Sequence, residues 1–321
     1  MKQVLLAVVA LMVAACSRPA GGPVSIDGSV GVLRGVVELP TVSVKGKLPV
    51  CIVFHGLTGF KDEAHLVALS DSLRARGVAV VRFNFNGHGD SDGEFINMTL
   101  DNEFEDALAV FSYVESLTWV DTGRIYVAGH SQGGLEAGLL AGELGFPRVA
   151  RLLLLAPAAL IHTNAMAGRM FETTFAEIPE WFTLEPVINL PCLTGSPEDS
   201  LIIARADSTL MAYKQHQQDS LKTWLLSQLP DTVAFWGGHF KLARGYMESA
   251  VNCDVYGRTA RYSGPVCIVQ GLNDDPTLIT SAEAYLDYLP QALWFPLPGF
   301  SHCFPEDLSV PAEIGSKFLT E

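Results

Sequence analysis

The sequence predicts an α/β fold built on a mostly parallel, doubly wound sheet. Three short runs rich in Val, Ile and Phe are each followed by a glycine-containing loop, as is typical of buried strands: Val50–His55, Val78–Phe83 and Arg124–Gly129. Between them, Ala64–Arg76 and Asp101–Thr118 repeat apolar residues at helical spacing. Alternation of strands and helices produces parallel strands with helices on both faces.

The first fifteen residues resemble a signal segment and are excluded from the fold. Lys2 precedes an apolar run from Val4 to Val13, which is too short to span a bilayer because a spanning helix takes about 20 residues. The following Val13-Ala14-Ala15-Cys16 resembles a bacterial lipobox, in which the Cys becomes the lipidated first residue. We expect an exported lipoprotein of the bacterial cell envelope, anchored to the membrane through Cys16 and a tether over residues 16–28. An ordinary cleaved signal is the alternative.

The predicted core comprises residues 29–156 and 265–321. A hairpin over Val30–Leu39 and Thr41–Val44 is expected at one edge of the sheet. After the third strand the alternation continues with further helices and strands, at Gln132–Leu144, Val149–Ala156, Pro265–Gln270, Ile279–Leu289, Ala292–Pro296 and Ala312–Leu319.

The alternation is interrupted over residues 157–264. This stretch is rich in aromatic residues and Pro and contains a helical pattern at Leu210–Leu229. An insertion of this length at one point of a sheet is typical of a cap over a pocket. We therefore predict one α/β domain with one inserted cap.

Composition and charge exclude several classes of function. The chain has 321 residues, 49% of them hydrophobic, and its 21 Lys+Arg against 35 Asp+Glu give a net charge of −14. Such a chain is not expected to bind nucleic acid, whose affinity depends on phosphate neutralisation. The six Cys and eight His lack the spacing of a structural zinc site, so we expect no metal centre and no cofactor. Cys192 and Cys253 are candidates for a disulfide.

The motif Gly129-His130-Ser131-Gln132-Gly133 follows a predicted strand and opens a predicted helix. Small residues let the chain turn sharply and expose the Ser hydroxyl, while the helix N-terminus faces any oxyanion formed there. In this context the motif predicts a nucleophilic Ser131. A tight turn whose Ser caps the helix is the alternative.

A nucleophilic Ser needs a His base, and that His needs a carboxylate to fix its tautomer. Of the His that follow Ser131, only His302 lies beyond both the predicted cap and the last core strand, so it is the candidate base. The loop after the late strand offers two acids. We prefer Asp274 for its place in the turn and expect Asp275, which precedes a Pro, to be a turn or helix-cap residue.

The tetrahedral intermediate of acyl transfer also needs two N–H donors. One belongs to the residue after the nucleophile, Gln132. The other comes from the loop after an earlier strand, His55-Gly56-Leu57-Thr58-Gly59, in which the Leu57 amide is the expected donor.

Together these motifs resemble those of the α/β-hydrolases, and within them the bacterial cinnamoyl (feruloyl) esterases. The most specific stretch runs from Arg82 to Thr99 and reads RFNFNGHGDSDGEFINMT. Further matching segments lie at residues 55–59, 102–107, 129–134, 156–158, 264–267 and 299–304. The resemblance covers about residues 29–182 and 235–320. It implies an α/β-hydrolase fold, a Ser131–His302–Asp274 triad, an oxyanion hole from the Leu57 and Gln132 amides, and hydrolysis of hydroxycinnamic acid esters.

Two departures leave the ester substrate open. Residues 183–234 have no counterpart in that family and enlarge the cap, and Leu57 stands where an aromatic residue is often found. A broad short-acyl esterase and a serine exopeptidase use the same triad and are alternatives, as is a binding lipoprotein without catalysis. The expected partner is a small-molecule or oligosaccharide ester. His88 is expected to be structural rather than a substrate contact, and Cys303 a packing residue rather than a redox-sensitive thiol.

Overall fold

The computed structural model describes residues 21–182, 214–277 and 279–321. The predicted signal segment, Cys16, Cys192 and the first part of the segment 183–234 lie outside the described residues. Within the described ranges, no helix has the length and apolar composition that a membrane crossing requires.

An eight-stranded sheet forms the centre of the protein. Its strands are β1 (Gly22–Asp27), β2 (Val32–Glu38), β3 (Leu48–Phe54), β4 (Ala79–Phe83), β5 (Val120–His130), β6 (Arg151–Leu155), β11 (Val266–Gly271) and β12 (Leu293–Leu297). The spatial order is β1-β2-β4-β3-β5-β6-β11-β12. The β1–β2 and β2–β4 pairs are antiparallel and all the others are parallel. The predicted fold class is confirmed.

Helices cover both faces of this sheet. They are α1 (Ala64–Ala75), α2 (Leu100–Ser116), α3 (Gln132–Leu144), α4 (Leu160–Met166), α5 (described over residues 214–228), α6 (Arg244–Asn252), α7 (Val255–Thr259), α8 (Ile279–Tyr288) and α9 (Ser309–Thr320). Apolar residues of α1 and α9 pack on one face, and those of α2, α3 and α8 pack on the other.

The central strand β3 shows why the apolar runs become parallel strands. All seven of its residues are buried. Val50, Ile52 and Phe54 belong to the core on one face, while Cys51 and Val53 belong to the core on the other. A strand covered on both faces needs a continuous apolar run rather than an alternating one.

The N-terminal hairpin differs from the predicted one. Strand β1 pairs with β2 over Gly22–Asp27, whereas residues 41–44 form no regular strand. The predicted tether over residues 16–28 is therefore wrong for residues 22–27. Val24 and Ile26 alternate with exposed residues and are more buried than these neighbours. This two-residue alternation covers few residues and is hard to recognise in the sequence beside Gly and Pro.

Apart from α5, the described residues of the insertion between β6 and β11 form two structural parts. One contains α4 and two short antiparallel ladders, formed by β7 (Arg169–Met170) with β8 (Thr173–Thr174) and by β9 (Thr232–Phe235) with β10 (Phe240–Ala243). The other contains α6 and α7, which pack against α2 and α3. Tyr246 and Met247 of α6 lie in the same apolar core as the sheet, so this second part stabilises the core as well as the cap.

Candidate active site

Ser131 lies at a sharp turn between β5 and α3. Its φ is +56°, a left-handed conformation that costs a non-glycine residue about 1–3 kcal/mol. The turn is closely packed, because a Cβ at Gly129 would collide with the Gly133 carbonyl and one at Gly133 would collide with the His55 carbonyl. Neither position therefore has room for a side chain, and both glycines of the motif are required.

Backbone hydrogen bonds hold this strained turn in place. The Ser131 N–H donates to the Leu155 carbonyl of β6 at 2.9 Å, and the Ser131 carbonyl accepts from the Ala158 N–H at 2.9 Å and from the Gly134 N–H at 2.9 Å. The neighbouring strand, the loop after it and the helix therefore all fix the position of Ser131.

His302 and Asp274 are joined by a hydrogen bond. Nδ1 of His302 lies 2.8 Å from Oδ2 of Asp274, whose side chain is fully buried. Asp274 also accepts from Gln270 Nε2 at 2.7 Å and from the Thr277 N–H at 2.8 Å. Gln270 and Thr277 donate to the two oxygens of Asp274, so this side chain acts as an acceptor toward His302 as well. His302 therefore donates from Nδ1, and its Nε2 is left as an acceptor.

Asp275, the second acid considered from the sequence, is exposed and lines a cavity of about 490 Å³. Ser131 and His302 line the same cavity. No hydrogen bond joins their side chains in the described structure, and such bonds commonly tighten only when a substrate binds. Of the two acids, Asp274 is the one that contacts the imidazole.

The expected oxyanion donors, Leu57 and Gln132, also line this cavity. Among the described residues neither backbone N–H donates to another protein group. Gln132 is the first residue of α3, where helical N–H groups have no partner within the helix. The Leu57 loop runs close to Ser131, since a Cβ at Gly56 would lie 2.8 Å from the Cβ of Ser131.

His55 fixes the start of that loop. Its Nδ1 lies 2.8 Å from the Gly56 carbonyl oxygen, and its Nε2 accepts from the Phe85 N–H at 3.0 Å. Burial, with a smaller effect of His88, lowers the pKa of His55 well below its usual range. The ring is therefore neutral at pH 7, with its proton on Nδ1 and donated to Gly56.

The Gln132 side chain connects the Ser131 turn to two helices. Its Nε2 donates to Glu103 on α2 at 2.6 Å, and its Oε1 accepts from the Tyr246 hydroxyl on α6 at 2.7 Å. Burial raises the pKa of Glu103 to about 8, and burial with the Glu103 charge raises that of Glu136 well above its usual range. Sequence reasoning missed this network, although acidic residues on apolar helix faces were a signal of it.

Three further buried histidines surround the site. His88 does not line the cavity, and burial lowers its pKa to about 4. The Nε2–H of His130 donates to the His302 carbonyl at 2.9 Å, and burial lowers the pKa of His130 well below its usual range. Burial also lowers the pKa of His65 to about 4. All three imidazoles are therefore neutral at pH 7.

Apolar and aromatic side chains of the cap form much of the cavity wall. They are Leu160, Ile161, Met170, Phe171, Phe235 and Trp236. Phe171 stacks on Phe235 with ring centroids 4.3 Å apart, and Trp236 contacts Phe235 edge-on at 5.5 Å. Glu172 holds this corner by accepting from the Trp236 N–H at 3.0 Å. Such a wall suits a flat apolar group.

The described part of the segment 183–234 does not line this cavity. The wall residues flank that segment on both sides, and Leu225 and Leu229 near the end of α5 are buried. Residues 214–234 therefore contribute packing rather than cavity surface, while residues 183–213 lie outside the described structure.

Comparison with known proteins bears on this geometry. A family model described as serine aminopeptidase, S33 (Hydrolase_4) matches residues 47–224, which is more than half of the chain. The chain belongs to this family. It is an α/β-hydrolase, and its solved neighbours have the same mostly parallel sheet with flanking helices.

One similar solved structure is Est1E from Butyrivibrio proteoclasticus with ferulic acid bound. It is 28% identical to this chain, with a TM-score of 0.71, and the match covers 92% of this chain and 97% of Est1E.

Curated relatives match over shorter stretches. An uncharacterized 31.7 kDa protein in the traX-finO intergenic region of Escherichia coli is 31% identical over 88 residues, 27% of this chain and 30% of that protein. The lysophosphatidylserine lipase ABHD12 of Gallus gallus is 31% identical over 144 residues, 43% of this chain and 36% of the lipase. The chain thus matches about a third of the length of these relatives.

Proposed function

We propose that this α/β-hydrolase is a serine esterase whose preferred substrates are carboxylic esters of hydroxycinnamic acids of the feruloyl type. The observation that carries the proposal is the hydrogen bond between His302 and Asp274, with His302 lining the same cavity as Ser131. The aromatic wall of that cavity and the similarity to Est1E, whose solved structure holds ferulic acid, support the choice of acyl group.

Acylation begins when Ser131 Oγ attacks the ester carbonyl carbon and Nε2 of His302 accepts the hydroxyl proton. Asp274 stabilises the imidazolium through its bond to Nδ1. The carbonyl oxygen becomes negative and accepts hydrogen bonds from the Leu57 and Gln132 amides, each worth about 10²–10³ in rate. When the intermediate collapses, the bond to the alcohol oxygen breaks and His302 protonates the departing alcohol.

Deacylation repeats these steps with water as the nucleophile. His302 takes a proton from the water, the same two amides stabilise the second oxyanion, and the acid leaves as Ser131 recovers its proton. The acyl group meanwhile lies against the aromatic wall. Binding there selects among acyl groups without taking part in bond cleavage.

A substrate panel tests the proposal. The full chain and its Ser131→Ala variant are assayed with methyl ferulate, p-nitrophenyl butyrate and an aminoacyl p-nitroanilide, and labelled with a fluorophosphonate. We expect the highest kcat/KM for methyl ferulate and covalent labelling of the parent chain only. If the fluorophosphonate labels the protein but p-nitrophenyl butyrate has the highest kcat/KM, the protein is a general short-acyl esterase. If the fluorophosphonate does not label it, a binding protein is favoured.

A second candidate, a serine exopeptidase, is favoured by three carboxylates that line the cavity, Glu63, Glu172 and Asp275. A carboxylate in this position is able to hold the ammonium group of an amino-terminal residue. Burial raises the pKa of Glu63, however, because it disfavours the charged form of this side chain. Turnover of the aminoacyl anilide above that of methyl ferulate would replace the ester proposal with this one.

We further propose that the protein is a lipoprotein anchored in the bacterial envelope through Cys16. The support is the sequence Val13-Ala14-Ala15-Cys16 after a short apolar run. Expression in bacteria with a radiolabelled fatty acid should label the parent protein and leave Cys16→Ser unlabelled. Equal labelling of both would refute the anchor.

A further inference from the structure

A cluster of two histidines and a cysteine lies beside the His302–Asp274 pair. His65 comes from α1, His130 from the end of β5 and Cys303 from the loop after β12. One ligand-type atom of each, His65 and His130 ring nitrogens and Cys303 Sγ, lies within 4.8 Å of the others. The residues are distant in sequence, so motif spacing does not show that they meet.

Two ring nitrogens in this cluster have no hydrogen-bond partner. His65 Nε2 and His130 Nδ1 are buried and have no hydrogen-bond partner within the described structure. His65 is only 5% exposed and His130 only 2%. His130 uses Nε2–H to donate to the His302 carbonyl, so its Nδ1 carries the lone pair. A buried polar atom without a partner costs about 1–3 kcal/mol, and a bound ion would remove that cost.

The donor set has the chemistry of a zinc site. Two neutral imidazoles and one thiolate are ligands of Zn²⁺, which prefers four tetrahedral ligands at about 2.0–2.3 Å. Such bonds place ligand atoms roughly 3.3–3.8 Å apart, so the cluster has to contract slightly. Cys303 is partly exposed, so its side chain is the one best able to move.

An ion has a route to this cluster. His130 and Cys303 both line the cavity that contains Ser131, and Glu63 lines it too. Burial is the main cause that raises the pKa of the Cys303 thiol, and the nearby Glu63 and Asp274 carboxylates add to it. A divalent cation bound at this sulfur stabilises the thiolate and offsets that cost. A water molecule from the cavity is the natural fourth ligand.

We propose that His65 Nε2, His130 Nδ1 and Cys303 Sγ form an inhibitory binding site for Zn²⁺ or a similar thiophilic divalent cation. On binding, the Cys303 thiol loses its proton to solvent, a Zn–S bond forms, and each imidazole donates its lone pair without losing a proton. The charge balances as one proton is released for each ion bound.

Metal binding would act directly on the catalytic loop. Cys303 is bonded to His302 in the chain, and His130 donates to the His302 carbonyl. Pulling Cys303 toward the two imidazoles therefore displaces or immobilises His302, which in the proposed mechanism must move a proton. The inhibitory effect rests on the proposed hydrolase function, whereas the binding of the ion does not.

Metal binding is measured first, without reference to turnover. Equilibrium dialysis of the full chain against Zn²⁺ should give one tight site that is weakened at least tenfold in Cys303→Ser and in His65→Leu. The exposed His216 provides the matched control, and His216→Gln should bind like the parent chain. Co²⁺ in place of Zn²⁺ should give a thiolate charge-transfer band that Cys303→Ser lacks, and this band identifies the ligand even where His65→Leu folds poorly.

Activity provides the second measurement. Zn²⁺ should reduce p-nitrophenyl butyrate turnover at least tenfold, and EDTA should restore it. The ratio of turnover without and with Zn²⁺ should fall toward one in His65→Leu. Failure to bind the ion, equal binding in parent chain and both cluster variants, or absence of the thiolate band would overturn the site. Inhibition that persists unchanged in His65→Leu would overturn the inhibitory role. If only the substrate panel fails, the proposed esterase function is refuted, and the binding measurements still decide whether the metal site exists.

Discussion

Replacing Asp274 by Asn tests how the buried carboxylate prepares His302. Three groups donate to this side chain: Gln270 and Thr277 together with His302 itself. An Asn has only one acceptor oxygen, so its NH₂ group must face a donor on one side. If it faces His302, the imidazole has to accept at Nδ1 and carries its proton on Nε2, where it cannot remove the Ser131 proton.

The expected loss follows from this change of tautomer. In a serine hydrolase of a different fold, the corresponding exchange of acid for amide lowers kcat about 10⁴-fold, and four factors of ten correspond to about 5 kcal/mol in the activation free energy. The unmatched donors should also lower the free energy of unfolding by about 1–3 kcal/mol. Folding should therefore survive the substitution while turnover does not.

The assay compares Asp274→Asn with Asp275→Asn under single-turnover and steady-state conditions, using p-nitrophenyl butyrate, with urea unfolding as the measure of stability. Asp275 is exposed and does not contact the imidazole, so its variant should keep kcat within about tenfold. Equal losses in the two variants, or a larger loss for Asp275→Asn, would refute the assignment of Asp274 as the orienting acid.

Three other substitutions test separate parts of the site. Ser131→Ala should lower kcat by several orders of magnitude with an unchanged urea midpoint, and retention of more than about a tenth of the activity would exclude it as nucleophile. Trp236→Ala should lower kcat/KM for methyl ferulate about tenfold relative to p-nitrophenyl butyrate, because an exposed aromatic wall residue contributes about 1–2 kcal/mol; an unchanged ratio would contradict the wall assignment. Because burial raises the pKa of Glu103 from 4.5 to about 8, the folded state holds this proton more tightly, and stability should fall by about 1.4 kcal/mol per pH unit as pH rises between those values. Glu103→Gln should lose that component in urea unfolding at pH 5, 7 and 9, and parallel pH profiles for the two proteins would refute it.

The sequence was most informative where local rules decide the structure. The strand β3 and the helix α3 have the bounds expected to within about two residues, because continuous apolar runs and helical spacing are local signals. The turn at Ser131 was predictable for the same reason, since its glycines lie within two residues of it. His302 was reachable by elimination along the chain order, and the preference for Asp274 came from turn chemistry.

Features that depend on distant contacts escaped prediction. Strand β1 is short, and its sequence predicts a tether instead, because its two inward residues are too few to show a clear period. The contacts of Gln132 with Glu103 and Tyr246 join three helices. Nothing in the spacing of His65, His130 and Cys303 indicates that their side chains meet, since strand order in the sheet brings them together.

The bond between Tyr246 and Gln132 sets a limit on exchanging caps between relatives. Phe171 of the cavity wall stacks on Tyr246 with ring centroids 5.8 Å apart, and the Tyr246 hydroxyl donates to the side chain of Gln132, the proposed oxyanion donor. A chimera joined before Arg244 keeps this contact and imports only new wall surface. One joined after Asn252 also replaces the Tyr246 contact to the Ser131 turn. In the proposed mechanism it therefore changes the rate of every substrate, although only selectivity was meant to change.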